Sequence, residues 1–327
     1  MAKLLRFSEY KEQWEQDFKT IHDYLDGFLS NLVVEIHHVG STSVRGLGAK
    51  PIIDIDIEYE NYFEEISRLL QKNDYEFEGE KGIKGRYSFR FKNDTLPEHH
   101  LYVIHSECNE LKRHLAFRNA LRNFPMFRKK YHVLKLKLID QNVKDRMLYT
   151  NSKTDLIEFI MKESETMKSI VFAGGCFWGV EAYFKLIEGV KNTEVGYIAG
   201  PGKTTYEEVC RAAGHAEAVH IMYNPATVSL RTLLDHLFNI INPTSINKQG
   251  HDVGVQYRSG IYNYNDEELV EIQAYIKEKQ PSYRRKIAIE LKTAQEFYSA
   301  EQYHQNYLEK NKNGYCHVNL ESHKNVK

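Results

Sequence analysis

Cysteine, proline and net charge are all scarce, and each scarcity removes a class of protein. Four cysteines in 327 residues (Cys108, Cys176, Cys210, Cys316) are too few and too scattered for a disulfide scaffold, and none sits in a C-x-x-C pair. Any cysteine that matters here matters as a reactive thiol. Seven prolines and 19 glycines leave little material for a long flexible linker. Lys plus Arg number 44 and Asp plus Glu 45, so the total charge of -1 recruits neither nucleic acid nor an anionic membrane. No uncharged apolar stretch approaches the roughly 20 residues of a membrane span, and the opening MAKLLRFSEYKEQWEQ holds no apolar run long enough for a signal peptide. The expectation is a cytoplasmic protein without a nucleic-acid or membrane partner. What is present, 42% hydrophobic and 27% charged residues, suits a packed core. The length is about twice the ~150-residue prior for one domain, which predicts two domains of near-equal size.

In the first half, Trp14, Phe18, Ile21, Leu25 and Leu29 recur at helical spacing. A strand over Leu32 to His38 leads through the loop GSTSVRGLGAKP into the alternating strand IIDIDIEY. A helix (Tyr62 to Lys72), a hairpin, the strand HHLYVIH and basic helices from Asn109 to Asp140 follow. Asn151-Ser152-Lys153-Thr154-Asp155 offers a capping box for the helix LIEFIMKE. The domain boundary is expected near residue 166. Beyond it the pattern gives strands at Ser169–Ala173, Thr193–Ala199, Ala218–Tyr223 and Lys286–Leu291, and helices at Val180–Leu186, Leu230–Ile240 and Asp266–Lys279, ending in an irregular tail.

In SIVFAGGCFWGVEAYF a strand runs into Gly174-Gly175, and Cys176 stands where a helix begins. Backbone N–H groups at a helix start favour the thiolate and lower a cysteine pKa. A small buried residue at a turn is the competing reading, and position alone leaves both open. Phe177 and Trp178 put aromatics beside the thiol, or are ordinary core. Glu217, inside the apolar run AEAVHIMY, is either a buried acid of raised pKa able to donate a proton, or a strand-edge residue facing water. Cys316, after a glycine in the polar tail, is either a resolving thiol or incidental.

Together these segments resemble one family closely, the peptide methionine sulfoxide reductases of the A type (MsrA). GGCFWGVE, GYIAG, TYEEVC, GHAEAV, INPTS, QGHDVGVQYRSGIY, the FY-x-AE-x-YHQ-x-YL block and GYC occur in family order over about residues 168 to 320. The resemblance implies reduction of the S-epimer of methionine sulfoxide, free or in proteins, with no metal or organic cofactor for the reductase. Cys176 would be the nucleophile and Glu217 the proton donor. Tyr206 and Tyr257 would help bind the sulfoxide oxygen, Phe177 and Trp178 would cradle the methyl group, and Asp252 would support the site. Cys316 would resolve the sulfenic acid as a disulfide that thioredoxin reduces. Cys210 and Cys108 receive no role. His251, Thr204-Thr205, Pro201 and Asn311-Lys312 depart from the family pattern, in loops and tail rather than in the catalytic set.

In the first half, Gly40-Ser41 follows a strand, and Asp54 and Asp56 alternate onto one face of the next. Two such aspartates can hold Mg²⁺ against a triphosphate with Ser41 on the phosphates, or simply line a solvated face. GSTSV-x-GL-x-AKP-x-IDI with FRNALR and the YHVLK block resembles the GrpB family, over about residues 1 to 163, within the nucleotidyltransferase superfamily. That implies a nucleotide and Mg²⁺ in this half, although the strand after the aspartates offers histidines where a third carboxylate is usual. Arg86, Arg90, Arg118 and Arg122 are candidate phosphate contacts or a solvated basic surface. The expected architecture is α+β to α/β in two domains. Residues 1–166 would form a nucleotidyltransferase-like mixed sheet with helices, and residues 167–327 an MsrA-type two-layer α/β sandwich with an irregular tail.

Overall fold

A computed structural model describes residues 7–141 and 153–326. The chain divides into two units, Met1–Glu163 and Ser164–Lys327, and each holds its own sheet. Among the described residues no helix is long and apolar enough to cross a membrane.

The first unit opens with α1 (Gln13–Leu29), where the helical stripe buries Trp14, Ile21, Leu25 and Leu29. It continues with β1 (Glu35–Val39), β2 (Ile53–Tyr59), α2 (Phe63–Lys72), β3 (Tyr75–Gly79), β4 (Arg86–Phe91), β5 (His99–His105), α3 (Asn109–Asn123), α4 (Pro125–Asp140) and all but the last three residues of α5 (Thr154–Thr166). The sheet runs β1-β2-β5-β4-β3, with the β2–β5 pair parallel and the other pairs antiparallel. Alternation along β2 sends Ile53, Ile55 and Ile57 into the core with Leu25 of α1 and Ile66 of α2. Asp54, Asp56 and Glu58 are left on the opposite face. Asn151 and Ser152 of the expected capping box lie outside the described residues.

The second unit comprises β6 (Lys168–Gly174), α6 (Phe177–Phe184), β7 (Val190–Ile198), α7 (Tyr206–Cys210), β8 (Ala216–Tyr223), α8 (Leu230–Ile240), β9 (Lys248–Gln249), β10 (Asp252–Val253), β11 (Ser259–Tyr262), α9 (Asp266–Lys279), β12 (Glu290–Lys292), β13 (Phe297–Ser299) and α10 (Tyr307–Lys310). Its main sheet runs β12-β11-β6-β8-β7-β13, while β9 and β10 pair by themselves. The central β6 is buried on both faces. Ile170 and Phe172 join the large core with Val180 of α6 and Leu233 of α8, whereas Val171 and Ala173 face a smaller cluster. On β8 the residues facing the large core are Val219, Ile221 and Tyr223; period two therefore turns Glu217 toward the same side as α6.

Several boundaries differ from the sequence pattern by a few residues, among them β1, which starts at Glu35 rather than Leu32, and β7, which starts at Val190 rather than Thr193; two further differences bear on the site and the sheet edge. Helix α6 starts at Phe177, one turn earlier than Val180, so it begins directly after Cys176. The last internal strand covers Glu290–Lys292 rather than Lys286–Leu291. Ile287 and Ala288 spend their N–H groups on the Gln280 side chain and the Pro243 carbonyl, which takes them out of any ladder.

Candidate active site

The turn from β6 into α6 is built for close approach. Gly175 has φ +92°, and a Cβ there would lie 2.7 Å from Gln249 Cβ and 2.9 Å from His317 Nε2, so glycine is required. Cys176 caps α6 and is 7% exposed. The N–H groups of Trp178 and Gly179 do favour its thiolate, as a helix start should. Burial outweighs them, helped by the Glu217 and Asp252 carboxylates, so the thiol is pushed up rather than down. The expected lowered pKa is thereby corrected: Cys176 rests as a protonated thiol.

Glu217 is buried, and its Oε2 accepts the Phe177 N–H at 3.1 Å. Burial pushes the carboxyl up to about 8 against that hydrogen bond, with the Asp252 charge adding to the rise. The carboxyl is therefore neutral at pH 7, and a neutral Glu217 no longer opposes ionisation of Cys176. Tyr206 opens α7, and its backbone N–H donates to Glu301 Oε1 at 2.9 Å. Its phenol and that of Tyr257 are pushed up by burial and by the Glu217 charge, and Tyr257 also feels Cys176 and Asp252. Both phenols are thus close enough to feel the Glu217 carboxyl, and the Tyr206 hydroxyl also hydrogen-bonds Cys210. Asp252 enters from β10, with the Tyr315 phenol beside it.

Trp178 is half-buried; its ring stacks on Tyr307 at 3.8 Å and its indole N–H donates to His304 Nδ1 at 3.0 Å. Phe177 is fully buried between Tyr197 and His304, so it forms the floor beneath Trp178 rather than an exposed wall. Cys316 is half-buried, and its thiol donates to the Val318 carbonyl at 3.2 Å. A Cβ on Gly179 would come within 3.2 Å of Cys316 Sγ, which places the tail thiol against the first turn of the helix that Cys176 caps. All four cysteines are free thiols. Cys210 is exposed on α7, and Cys108 lies in the first unit.

In the first unit, Gly40 turns the chain at φ +69°, and a Cβ there would strike Asp54 Oδ2 at 2.2 Å. The expected pair of free aspartates is corrected. Asp54 Oδ1 lies 2.9 Å from His100 Nδ1, and the fully buried Asp56 lies 2.7 Å from His114 Nδ1. Burial works against a charge on His114, but its bonds to Asp56 and Glu110 prevail and hold it at about 9, cationic at neutral pH. Each aspartate is thus matched by an imidazole where a metal would need an open carboxylate. Among the described residues no group of three or more His, Cys, Asp or Glu side chains is arranged to hold a metal ion. Arg118 donates to the His38 carbonyl and Arg122 to the Ser43 carbonyl, Arg86 lies over the Tyr102 ring and Arg90 pairs with Glu76. Arg118 and Arg122 thus brace the fold, whereas Arg90 forms an exposed surface pair. Glu98 is exposed.

The family model for peptide methionine sulfoxide reductase matches residues 168–327, and that for GrpB protein matches residues 5–163. The peptide methionine sulfoxide reductase MsrA of Clostridium tetani is 48% identical over 164 residues, covering 50% of this chain and 100% of that protein. The chain belongs to the peptide methionine sulfoxide reductase family. Its first half carries the GrpB match. Among solved structures, reduced Mxr1 from Saccharomyces cerevisiae is 39% identical, covers 48% of this chain and 93% of its own, and has a TM-score of 0.46. GrpB from Enterococcus faecalis is 33% identical, covers 48% and 96%, and has a TM-score of 0.43.

Within the reductase half, three side chains that motif reading did not single out hold the named ones in place. Glu301 joins the Tyr206 N–H to the Tyr197 hydroxyl, the latter at 2.7 Å. His304 holds the Trp178 indole, and the buried His317 ring reaches the Gly174 carbonyl at 3.1 Å. Glu301 and His304 lie in the AEQYHQ segment and His317 follows Cys316, in chain with no periodicity. Glu301 and His304 are fixed letters of the FY-x-AE-x-YHQ block, a signal that marked the segment without giving either residue a role, and His317 carried no signal beyond its place after Cys316.

Proposed function

We propose that residues 167–327 form a reductase domain that converts methionine-S-sulfoxide, free or in oxidised proteins, to methionine. Cys176 attacks the sulfoxide sulfur while the oxygen takes a proton from Glu217, with the Tyr206 and Tyr257 hydroxyls on that oxygen. Glu217 recovers its proton from the Cys176 thiol. The step balances as thiol plus sulfoxide giving sulfenic acid plus thioether, with sulfur of the substrate reduced and Cys176 oxidised. The Cys316 thiol then attacks Cys176 sulfur, releases water and leaves a disulfide, which the dithiol of thioredoxin reduces. Trp178 and Phe177 supply an apolar bed for the methyl group, and Asp252 tunes the acid. The single observation that supports this reading is a buried, neutral carboxyl held by the N–H of the residue next to a buried cysteine. Cys176→Ser should abolish reduction of a methyl sulfoxide, and Cys316→Ser should give one methionine per enzyme and then stop in the presence of thioredoxin. Full activity in Cys176→Ser overturns the proposal.

For the first unit we infer a nucleotide or other phosphate-bearing ligand at the Gly40–Ser41 turn, where Lys135 Nζ lies 3.1 Å from Ser41 Oγ. The histidine partners of Asp54 and Asp56 argue against Mg²⁺ as its organising ion. Calorimetric titration of the full chain with ATP tests this; no heat of binding with or without Mg²⁺ overturns it.

A further inference from the structure

Glu181 lies three residues after Trp178 on α6, so the two side chains leave the same helix face. Trp178 is half-buried at the site, whereas Glu181 is 2% exposed and the proposed reaction uses neither of its oxygens. An acid in such a place costs stability unless each oxygen finds a donor. Both do. Oε2 accepts the Asn306 N–H at 2.9 Å, and Oε1 accepts the Thr193 hydroxyl at 3.3 Å with Lys185 Nζ at 4.0 Å. Burial pushes the carboxyl up, and Lys185 and the Asn306 N–H hold it against that rise.

The partner that matters is Asn306. It turns the chain into α10 with φ +56°, a left-handed conformation that asparagine takes more readily than other residues with a Cβ. Its side-chain oxygen accepts from Lys185, one helical turn beyond Glu181, and Lys185 also pairs with Glu309 at 2.6 Å. Two residues of α6 therefore hold one asparagine, by its N–H and by its amide. What flanks that asparagine is the lining of Trp178. Two residues earlier, the buried His304 accepts the indole N–H at 3.0 Å. The next residue, Tyr307, lies on the indole at 3.8 Å with 13° between the rings. Tyr307 also abuts Gly314, where a Cβ would come within 2.8 Å of its ring.

We propose that Glu181, acting through the Asn306 turn, is a positioning residue that keeps His304 and Tyr307 on the Trp178 indole and so sets the size of alkyl group the site accepts. The proposal rests on the sulfoxide-reductase reading, with Trp178 beside the methyl group, and adds the origin of its size selection. An apolar pocket tells a methyl from an ethyl group only as far as its walls stay in place, and one methylene is then worth about 10- to 200-fold in selection. Trp178 by itself is an aromatic side chain on the first turn of a helix, free to swing. With an acceptor at its N–H and a ring on its face, both carried by one clamped segment, it keeps a single orientation. Glu181 touches neither the Cys176 thiol nor the Glu217 carboxyl, so its loss acts on binding and selection ahead of turnover.

Steady-state reduction of the S-epimers of methionine sulfoxide and ethionine sulfoxide by the full chain, with dithiothreitol as reductant, tests this in the wild type, E181A, E181Q and N306A. Tryptophan emission is read alongside; Trp14, the other tryptophan, lies in the first unit and gives a constant background. The expected result in E181A is a KM for methionine sulfoxide raised about fivefold or more, a preference for methyl over ethyl narrowed by a similar factor, and kcat within about twofold. Its emission should shift to the red as the indole leaves Tyr307. E181Q, whose amide oxygen can still accept the Asn306 N–H, should restore KM, preference and emission. N306A alters a half-buried turn and should move all three in the same direction, so it remains informative if E181A does not fold. KM, preference and emission unchanged in E181A and N306A, or a loss confined to kcat, overturns the positioning role and leaves the reductase reading standing. No sulfoxide reduction by the wild type overturns both.

Discussion

Replacing Glu217 with glutamine should stabilise the reductase half while removing the proposed proton donor. The carboxyl of an exposed glutamate titrates near 4.5, and in this fold burial carries Glu217 to about 8. A carboxyl raised in the folded state keeps its full stabilising share below pH 4.5, and that share is lost as pH rises through 8. At about 1.4 kcal/mol per pH unit, the loss reaches roughly 3 kcal/mol at pH 7 and roughly 5 kcal/mol above pH 8. Glutamine cannot ionise, and its amide oxygen can still accept the Phe177 N–H. E217Q should therefore match the wild type near pH 4.5 and exceed it progressively up to pH 8, beyond which the gap stays constant. Hydrogen–deuterium exchange of peptides from β6 and β8, compared between the two proteins at each pH, isolates this unit from the other. Parallel pH dependence in the two proteins would refute a raised Glu217 pKa. A sulfoxide reduction rate undiminished in E217Q would refute its role as acid. Stabilisation coupled to inactivation is the signature of a group kept in an unfavourable place for chemistry.

Gly179→Ala places a methyl group 3.2 Å from Cys316 Sγ and 3.1 Å from Val318 Cγ2. It should slow disulfide formation at least tenfold while leaving the first methionine released per enzyme unchanged, as read by dimedone trapping of the sulfenic acid; equal trapping in both proteins counts against a resolving role for Cys316. His317→Ala should lengthen the sulfenic acid lifetime in the same assay, and His317→Gln, which can still donate to the Gly174 carbonyl, should restore most of the rate; no difference between the two variants would mean the imidazole anchors nothing. In the first unit, His114 is raised from 6.5 to about 9 by Asp56 and Glu110 against its burial. Its stabilising share is whole below pH 6.5 and disappears as pH rises through 9, about 3 kcal/mol in all. Exchange protection of β2 peptides should fall over that window in the wild type and stay flat in His114→Gln.

Motif and periodicity carried the reductase half far because its chemistry is concentrated in short segments of fixed spacing. Cys176, Phe177 and Trp178 are consecutive, and one alternating strand brings Glu217 to the N–H of Phe177. Spacing could not give the sign of the Cys176 shift. A helix start alone predicts a lowered pKa, whereas the outcome depends on how much chain covers the thiol and on carboxylates 41 and 76 residues away in sequence. The tail contributions were hidden for a related reason. Glu301, His304 and His317 sit in irregular chain, where no period separates a side chain aimed at the site from one aimed at water.

The first half shows the opposite failure. Alternation placed Asp54 and Asp56 on one strand face, as the two bonds to histidines from other elements bear out. What a strand face means chemically depends on what lies across from it, and the partners come from β5 and α3. In register, Asp54 stands directly opposite His100, so a pattern that reads as a metal site in one strand reads as a set of carboxylate–imidazole hydrogen bonds once its neighbour is added. Lys135, 94 residues beyond Ser41, has no local motif either, yet it reaches the Ser41 hydroxyl from α4. Which side chain meets a turn is a property of three-dimensional surroundings, and a partner that arrives from a helix 94 residues away leaves no period in the segment it meets.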